Sequence, residues 1–178
     1  MAVNKKNILA ISGSTRNNST NHKILKFLAS RFSNVLRVEI FDGVDKLPHF
    51  SSEINDESLP VEVYNFREKI EKADGILICT PEYIFSLPGS LKNAIEWNVS
   101  TTLFTKKPVA IIVASASGEK AFESLTLIME TIEANIPIES RLLIQGAKGK
   151  INAESGIIDK KTLQDIDRLV DSFLASMV

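Results

Sequence analysis

Short, almost purely apolar runs alternate along the chain with longer amphipathic stretches, and this alternation most constrains the fold. The apolar runs are Ile8 to Ile11, Val35 to Phe41, Ile76 to Cys79, Val109 to Ala114 and Ile138 to Ile144. Three of the five are apolar almost throughout, which predicts strands covered on both faces, as in a parallel sheet between helix layers. The second run carries Arg37 and Glu39 on one face, so we expect it at the edge of that sheet.

Each run is followed by apolar residues at helical spacing, and each such set would give one helix a single apolar stripe. The five sets are Ile24, Leu28 and Phe32; Val63, Phe66 and Ile70; Leu91, Ala94 and Ile95; Leu125, Ile128, Met129 and Ile132; and Leu163, Ile166, Val170 and Phe173. A strand followed by a helix, repeated five times, favours right-handed crossovers and a doubly wound α/β fold. Among five-stranded versions we expect the flavodoxin-like order 2-1-3-4-5, with an open crevice beside strands 1 and 3.

The length of the chain limits the number of domains, and its charge distribution limits the classes of expected partner. The 178 residues suit one hydrophobic core, so residues 1–178 are predicted to form a single domain, with the polar segment 42–59 as a surface excursion. The 21 Lys and Arg residues and 22 Asp and Glu residues form no block of one sign, so neither nucleic acid nor a membrane surface is an expected partner. No apolar run approaches the roughly 20 residues of a membrane span, and no secretory leader is recognisable. We therefore expect a cytoplasmic protein.

Cysteine and histidine usage indicates no metal centre and no catalytic nucleophile. Cys79 is the only cysteine, which excludes an internal disulfide, and its place in an apolar run favours a core residue over a reactive thiol. His22 and His49 are distant in sequence and lack the spacing of a zinc site. The sequence therefore assigns no metal ligand and no catalytic side chain.

The loop after the first run collects groups that suit an anion. It contains Ser14, Arg16, Ser19, Thr20 and Asn21, and it leads into the first predicted helix. Hydroxyls, a guanidinium and the unpaired N–H groups of a helix start together suit a terminal phosphate. The loop has only Gly13, and it lacks both the Walker sequence and the three spaced glycines of a dinucleotide fingerprint. In the simpler alternative, Ser19 or Thr20 only caps the helix and Arg16 lies in solvent.

A second loop, after the third run, carries aromatic residues in a stiffened chain. Pro81 and Pro88 restrict its backbone, and Gly89 permits a close approach. Tyr83 and Phe85 place aromatic surface across the predicted crevice from the first loop. We expect a flat ring to lie against this surface.

Together the two loops resemble those of the NADPH-dependent FMN reductase family, which includes bacterial quinone, chromate and azo-dye reductases of flavodoxin-like fold. The resemblance covers nearly the whole chain. It rests on Gly-Ser-x-Arg-x-x-Ser-x-Asn at 13–21 and on Pro-Glu-Tyr-x-x-Ser-x-Pro-Gly-x-Leu-Lys-Asn-Ala-Ile-Glu-Trp at 81–97. The family commonly has Asn after the Pro-Glu-Tyr triplet, where this chain has Ile84.

The resemblance implies that the two loops bind different parts of FMN. Its phosphate would be held by Ser14, Arg16, Ser19, Thr20 and Asn21, and its isoalloxazine would be surrounded by Pro81, Glu82, Tyr83, Ile84 and Phe85. Ser115 and Ser117, in the loop after the fourth run, would complete the site. The resemblance also implies NADPH or NADH as co-substrate, a small-molecule electron acceptor, and a homodimer or homotetramer.

The predicted function is an FMN-dependent NAD(P)H oxidoreductase: hydride passes from the nicotinamide to FMN, and the electrons then pass to a flavin, quinone, azo dye or metal ion. Two alternatives come from other classes. A non-enzymatic flavodoxin-type electron carrier would bind FMN for a protein partner, but it needs a strongly acidic face, which a formal net charge of -1 does not favour. A phospho-accepting receiver module needs carboxylates after strands 1 and 3, where this chain has Ser12-Gly13 and Thr80-Pro81.

Overall fold

A five-stranded sheet forms the centre of the computed structural model, which describes residues 4–16, 18–152, 156–157 and 159–177. Its strands are β1 (Lys6–Ser12), β2 (Leu36–Phe41), β3 (Gly75–Thr80), β4 (Val109–Ala114) and β5 (Arg141–Ile144). Every pairing is parallel and the order is β2-β1-β3-β4-β5, with β2 at an edge. The predicted fold class, the strand order and the edge position of the second strand are confirmed.

Helices cover both faces of the sheet. They are α1 (Thr20–Arg31), α2 (Val61–Lys72), α3 (Gly89–Glu96), α4 (Glu119–Thr131), α5 (Ala147–Lys150) and α6 (Lys160–Ala175). Successive strand residues point to opposite faces, so Ile8 and Ala10 pack with α1 and α6, whereas Leu9 and Ile11 pack with α2, α3 and α4. Burial on both faces explains why the central strands are continuously apolar. No helix within the described ranges has the length and apolarity needed to cross a bilayer.

The fifth strand begins later than the prediction of Ile138 to Ile144. Ile138–Ser140 forms a turn of 3₁₀ helix, and β5 starts at Arg141. The cause is Pro137, whose fixed φ of -52° leads into a helical turn, and whose carbonyl accepts the N–H of Ser140 at 2.9 Å. Ile138 is 79% exposed, so its hydrophobicity did not reflect burial in the sheet. At the second strand the difference is small, because β2 begins one residue after Val35.

Between β5 and α6 the chain forms elements that the sequence patterns did not predict. The four-residue helix α5 is followed by an antiparallel pair of two-residue strands, β6 (Ile151–Asn152) and β7 (Gly156–Ile157). These elements are too short to show a helical or strand period of their own.

The end of α3 fastens the excursion of residues 42–59 to the helix layer. Asn93 Nδ2 and Trp97 Nε1 both donate to the carbonyl of Pro48, at 2.9 and 2.8 Å. Asn93 Oδ1 accepts the N–H of Phe50 at 2.8 Å, and the Phe50 ring meets the Trp97 indole edge-on with centroids 5.3 Å apart. The Asn and Trp of the second motif are therefore structural, because they anchor a loop rather than face the crevice.

Candidate functional site

A cavity of about 370 Å³ opens at the carboxyl edge of the sheet, where the strand order reverses. Its wall comes from the loops after β1, β3, β4 and β5. The lining residues are Ser14, Arg16, Ser19, Thr20, Asn21, Pro81, Glu82, Tyr83, Ala114, Ser115, Ala116, Gly146, Ala147 and Lys148. A cavity of this size and position suits a small organic ligand or cofactor.

The cavity brings most of the predicted site residues together. Those in its wall are Ser14, Arg16, Ser19, Thr20, Asn21, Pro81, Glu82, Tyr83 and Ser115. The other three, Ile84, Phe85 and Ser117, lie outside the wall. Sequence reasoning missed the stretch Gly146 to Lys148 after β5, which has no recognisable motif. The available signal was positional, because the carboxyl end of every parallel strand reaches the same edge.

Two hydroxyl groups shape the first loop while keeping their own protons available. Ser19 caps α1, its Oγ accepting the N–H of His22 at 3.1 Å, and Ser14 Oγ accepts the N–H of Arg16 at 3.4 Å. Among the described residues, neither hydroxyl donates to an acceptor. Each O–H can therefore donate to a phosphate oxygen beside the start of α1. Helix capping by Ser19 is thus compatible with anion binding.

Gly13 allows the first loop to lie directly against β3. Its N–H donates to the carbonyl of Cys79 at 2.9 Å. A Cβ at Gly13 would lie 2.2 Å from Thr80 Oγ1, which no real side chain tolerates. The single glycine of the first motif therefore sets the close spacing between the β1 and β3 loops.

Asn21 lies under the cavity and joins three elements. Its Oδ1 accepts the Cys79 thiol at 3.3 Å, and its Nδ2 donates to the carbonyl of Ala114 at 3.4 Å. Complete burial raises the pKa of the Cys79 thiol, so the thiol stays protonated and serves as a donor. These contacts tie α1 to β3 and β4, which makes Asn21 a supporting residue beneath the cavity.

Glu82 connects the loop after β3 to the start of α4. One carboxylate oxygen accepts the N–H of Gly118 at 3.2 Å. The other accepts the N–H groups of Lys120 and Ala121, both at 3.0 Å. These are orphan N–H groups of a helix start, and a carboxylate there also interacts favourably with the helix dipole. Glu82 therefore fixes one wall of the cavity relative to another.

The floor of the cavity continues the sheet beyond its strands. The N–H of Ser115 donates to the carbonyl of Ile144, the N–H of Ala147 to Ser115 and the N–H of Gly146 to Ala116, each at 3.1 Å. Gly146 has a positive φ of 60°, which allows this turn after β5. Small side chains and paired backbone give a rigid, shallow surface against which a flat ring can lie.

Ile84 and Phe85 form the tip of a strained turn beside the cavity. Tyr83 and Ser86 exchange two backbone hydrogen bonds, at 3.0 and 3.1 Å, across a two-residue loop in which Ile84 and Phe85 have φ of 50° and 54°. Such turns favour Asn and Gly, because a left-handed conformation costs other residues about 1–2 kcal/mol. The two side chains are 97% and 76% exposed, so packing does not offset this cost.

We expect Ile84→Asn to raise the free energy of unfolding by about 1 kcal/mol, because Asn tolerates the left-handed region and Ile does not. For a chain of this length the melting temperature should rise by about 2–4 °C. Ile84→Val keeps the β-branch and serves as the control, with no stabilisation expected. Equal melting temperatures for Ile84→Asn and the wild type would show that the turn is not strained at this residue.

The fold and the cavity together define a class of protein. The sheet is parallel, has the order 2-1-3-4-5, and opens at its switch point onto a hydroxyl-rich loop after β1 and an aromatic loop after β3. This arrangement is typical of flavodoxin-like cofactor-binding proteins. The chain belongs to the NADPH-dependent FMN reductase family, whose model matches residues 6–147. The matched range contains every residue that lines the cavity except Lys148.

Individual proteins to which the chain is similar are reductases or oxidoreductases, as expected for this family. The NADH:(hydroxy)cinnamate reductase subunit CrdA of Vibrio ruber is 33% identical over 174 residues, which cover 94% of this chain and 85% of that protein. A quinone reductase of Escherichia coli is 27% identical over 176 residues, covering 95% and 94%. The structure of FerB, a flavoenzyme NAD(P)H:(acceptor) oxidoreductase from Paracoccus denitrificans, gives a TM-score of 0.82 at 27% identity over 97% of each chain. The predicted family and its oxidoreductase class are confirmed.

Proposed function

We propose that the protein is an FMN-dependent NAD(P)H oxidoreductase that transfers hydride from a nicotinamide to FMN and then to a small acceptor. The single observation that carries the proposal is the shared cavity, in which phosphate donors and a ring-binding surface face each other at the switch point. Membership of the FMN reductase family supports the same cofactor. Quinones are one candidate acceptor class, because a relative that aligns over nearly the whole chain is a quinone reductase.

The phosphate end of FMN fits the donor set of the first loop. Arg16 supplies the positive charge, and the hydroxyls of Ser14, Ser19 and Thr20 supply neutral donors in the same part of the wall. The start of α1 adds its N–H groups and the positive end of its dipole. Asn21, whose amide is already engaged with Cys79 and Ala114, contributes by holding this loop in place.

The ring end of FMN fits the walls formed by the later loops. Pro81 and the half-exposed Tyr83 offer flat apolar surface on one side, and the backbone around Ser115 and Ala147 forms the floor. Bound FMN supplies the hydride chemistry. The chain itself needs only to hold the ring, cover one of its faces and leave the mouth of the cavity open to flat acceptors.

We further propose that the protein works in the cytoplasm as a homodimer or homotetramer. The uncovered side chain of Phe85 supports an assembly, because it presents apolar surface beside the cavity that a second copy would bury. Light scattering after size-exclusion chromatography tests the assembly, and a monomeric mass at micromolar concentration would contradict it.

Anaerobic reduction tests the proposed activity. The purified protein loaded with FMN should lose its yellow absorbance on addition of NADH or NADPH, and benzoquinone should restore it over repeated cycles. Failure of both nicotinamides to bleach the flavin, together with reduction by dithionite, would contradict the reductase and favour the electron-carrier alternative.

A further inference from the structure

A second cleft of about 380 Å³ adjoins the cofactor cavity on the side of β2. Both share Ser14 and Arg16 in their walls. We name it the polar cleft. Besides Ser14 and Arg16, the ionisable side chains that line it are His22, Lys26, Asp42, Asp45 and Lys46. A phosphate bound at Ser14 and Arg16 would therefore have a cavity on either side of it.

The polar cleft contains the charges that a second phosphate needs. Arg16, Lys26 and Lys46 line it, and no ion pair among the described residues involves any of these three cations. Its carboxylates are Asp42 and Asp45, so cations outnumber anions. Lysine and arginine side chains bind phosphate without a glycine-rich loop, because they approach as charges on flexible stems.

Asp42 lies where doubly wound nucleotide-binding folds place a ribose-binding carboxylate. It directly follows β2, the neighbour of β1 in the sheet, and a carboxylate after the second strand of such folds accepts hydrogen bonds from the adenosine ribose. Its Oδ1 is 3.2 Å from His22 Nδ1, and its side chain is 63% exposed. The second oxygen is thus able to accept from a ribose hydroxyl.

We propose that the polar cleft binds the adenosine monophosphate moiety of FAD, so that the protein accepts FAD as well as FMN. The proposal rests on the proposed function, because it places the flavin phosphate at Ser14 and Arg16. In FAD the second phosphate is bonded directly to the flavin phosphate, which matches two neighbouring clefts that share Ser14 and Arg16 in their walls. A 2′-phosphate beside Asp42 would meet like charge, so the NADPH adenosine is disfavoured here.

Equilibrium dialysis of the flavin-free full chain against FMN and FAD tests the proposal. In the wild type, the dissociation constant for FAD should lie within about tenfold of that for FMN. The double variant Lys26→Gln/Lys46→Gln should bind FAD about tenfold more weakly and FMN less than about threefold more weakly. Asp42→Asn should likewise weaken FAD alone. Lys23→Gln is the matched control, because Lys23 lies on α1 but outside both walls, and it should change neither constant.

The outcomes separate this proposal from the proposed function. Wild-type binding of FMN with FAD more than about tenfold weaker would overturn the FAD site alone. Equal losses for FMN and FAD in the double variant would also overturn it. If the FMN-loaded double variant shows a raised KM for NADH and unchanged FAD binding, the cleft serves the nicotinamide cofactor and the proposal is wrong. If the wild type binds neither FMN nor FAD, the proposed function itself is wrong.

Discussion

Replacing Arg16 with alanine is expected to raise the dissociation constant for FMN by about 10- to 100-fold. Arg16 lies in the cavity wall beside Ser14, Ser19 and Thr20, and it is the cation among these phosphate donors. A charge-assisted hydrogen bond contributes about 1.5–3 kcal/mol, which corresponds to the stated change. Fluorescence titration of the flavin-free protein measures it directly.

Arg37→Ala is the matched control for this experiment. Arg37 is an exposed arginine on β2 and does not line the cofactor cavity. The control removes the same charge from the chain but should leave FMN affinity unchanged. If Arg16→Ala also binds FMN with wild-type affinity, Arg16 does not contact the phosphate and the simpler interpretation of a solvated loop residue is correct.

Replacing Glu82 with glutamine is expected to lower the free energy of unfolding by about 1–3 kcal/mol. The carboxylate accepts three backbone N–H groups at the start of α4. Glutamine keeps one oxygen but turns an NH₂ group toward donors, which leaves N–H groups without an acceptor and removes a charge that favours the helix start. Urea denaturation of the flavin-free protein measures the loss.

Glu123→Gln controls for the removal of a carboxylate near the same helix. Glu123 is exposed on α4 and pairs with Lys120 at 2.7 Å, an arrangement that contributes little to stability. It should change the free energy of unfolding by less than about 0.5 kcal/mol. Equal stabilities for Glu82→Gln and Glu123→Gln would contradict the role of Glu82 in joining the two walls.

The architecture and the place of the site could be predicted because they depend on patterns that burial imposes. Continuous apolarity of the run Val109 to Ala114 follows from helices on both faces of the sheet, and β4 has these bounds. Once the strand order is known, the carboxyl ends of β1 and β3 become neighbours, so the polar loop and the aromatic loop had to meet. This reasoning located the first loop and the Pro81 and Tyr83 part of the second, whereas Glu82 and Ser115 were implied by the family resemblance; all of them line the cavity.

The orientation of single side chains could not be predicted, because it depends on local backbone geometry. Ile84 and Phe85 belong to the expected loop, but their positive φ values turn them into the exposed tip of a tight turn. Glu82 lines the cavity, but nothing in the sequence indicated that its carboxylate accepts hydrogen bonds from the start of α4. A 3₁₀ turn at Ile138 likewise depends on the preceding proline rather than on hydrophobicity.

The central claim is that the two loops jointly hold FMN, by its phosphate at the first loop and by its ring at the second. Isothermal titration of the flavin-free protein with FMN and with riboflavin, which lacks the phosphate, tests both halves together. We predict micromolar or tighter binding of FMN, and binding of riboflavin at least about tenfold weaker. Equal affinities would contradict the phosphate site, and absence of FMN binding at millimolar concentration, confirmed by unchanged flavin fluorescence, would contradict the claim as a whole.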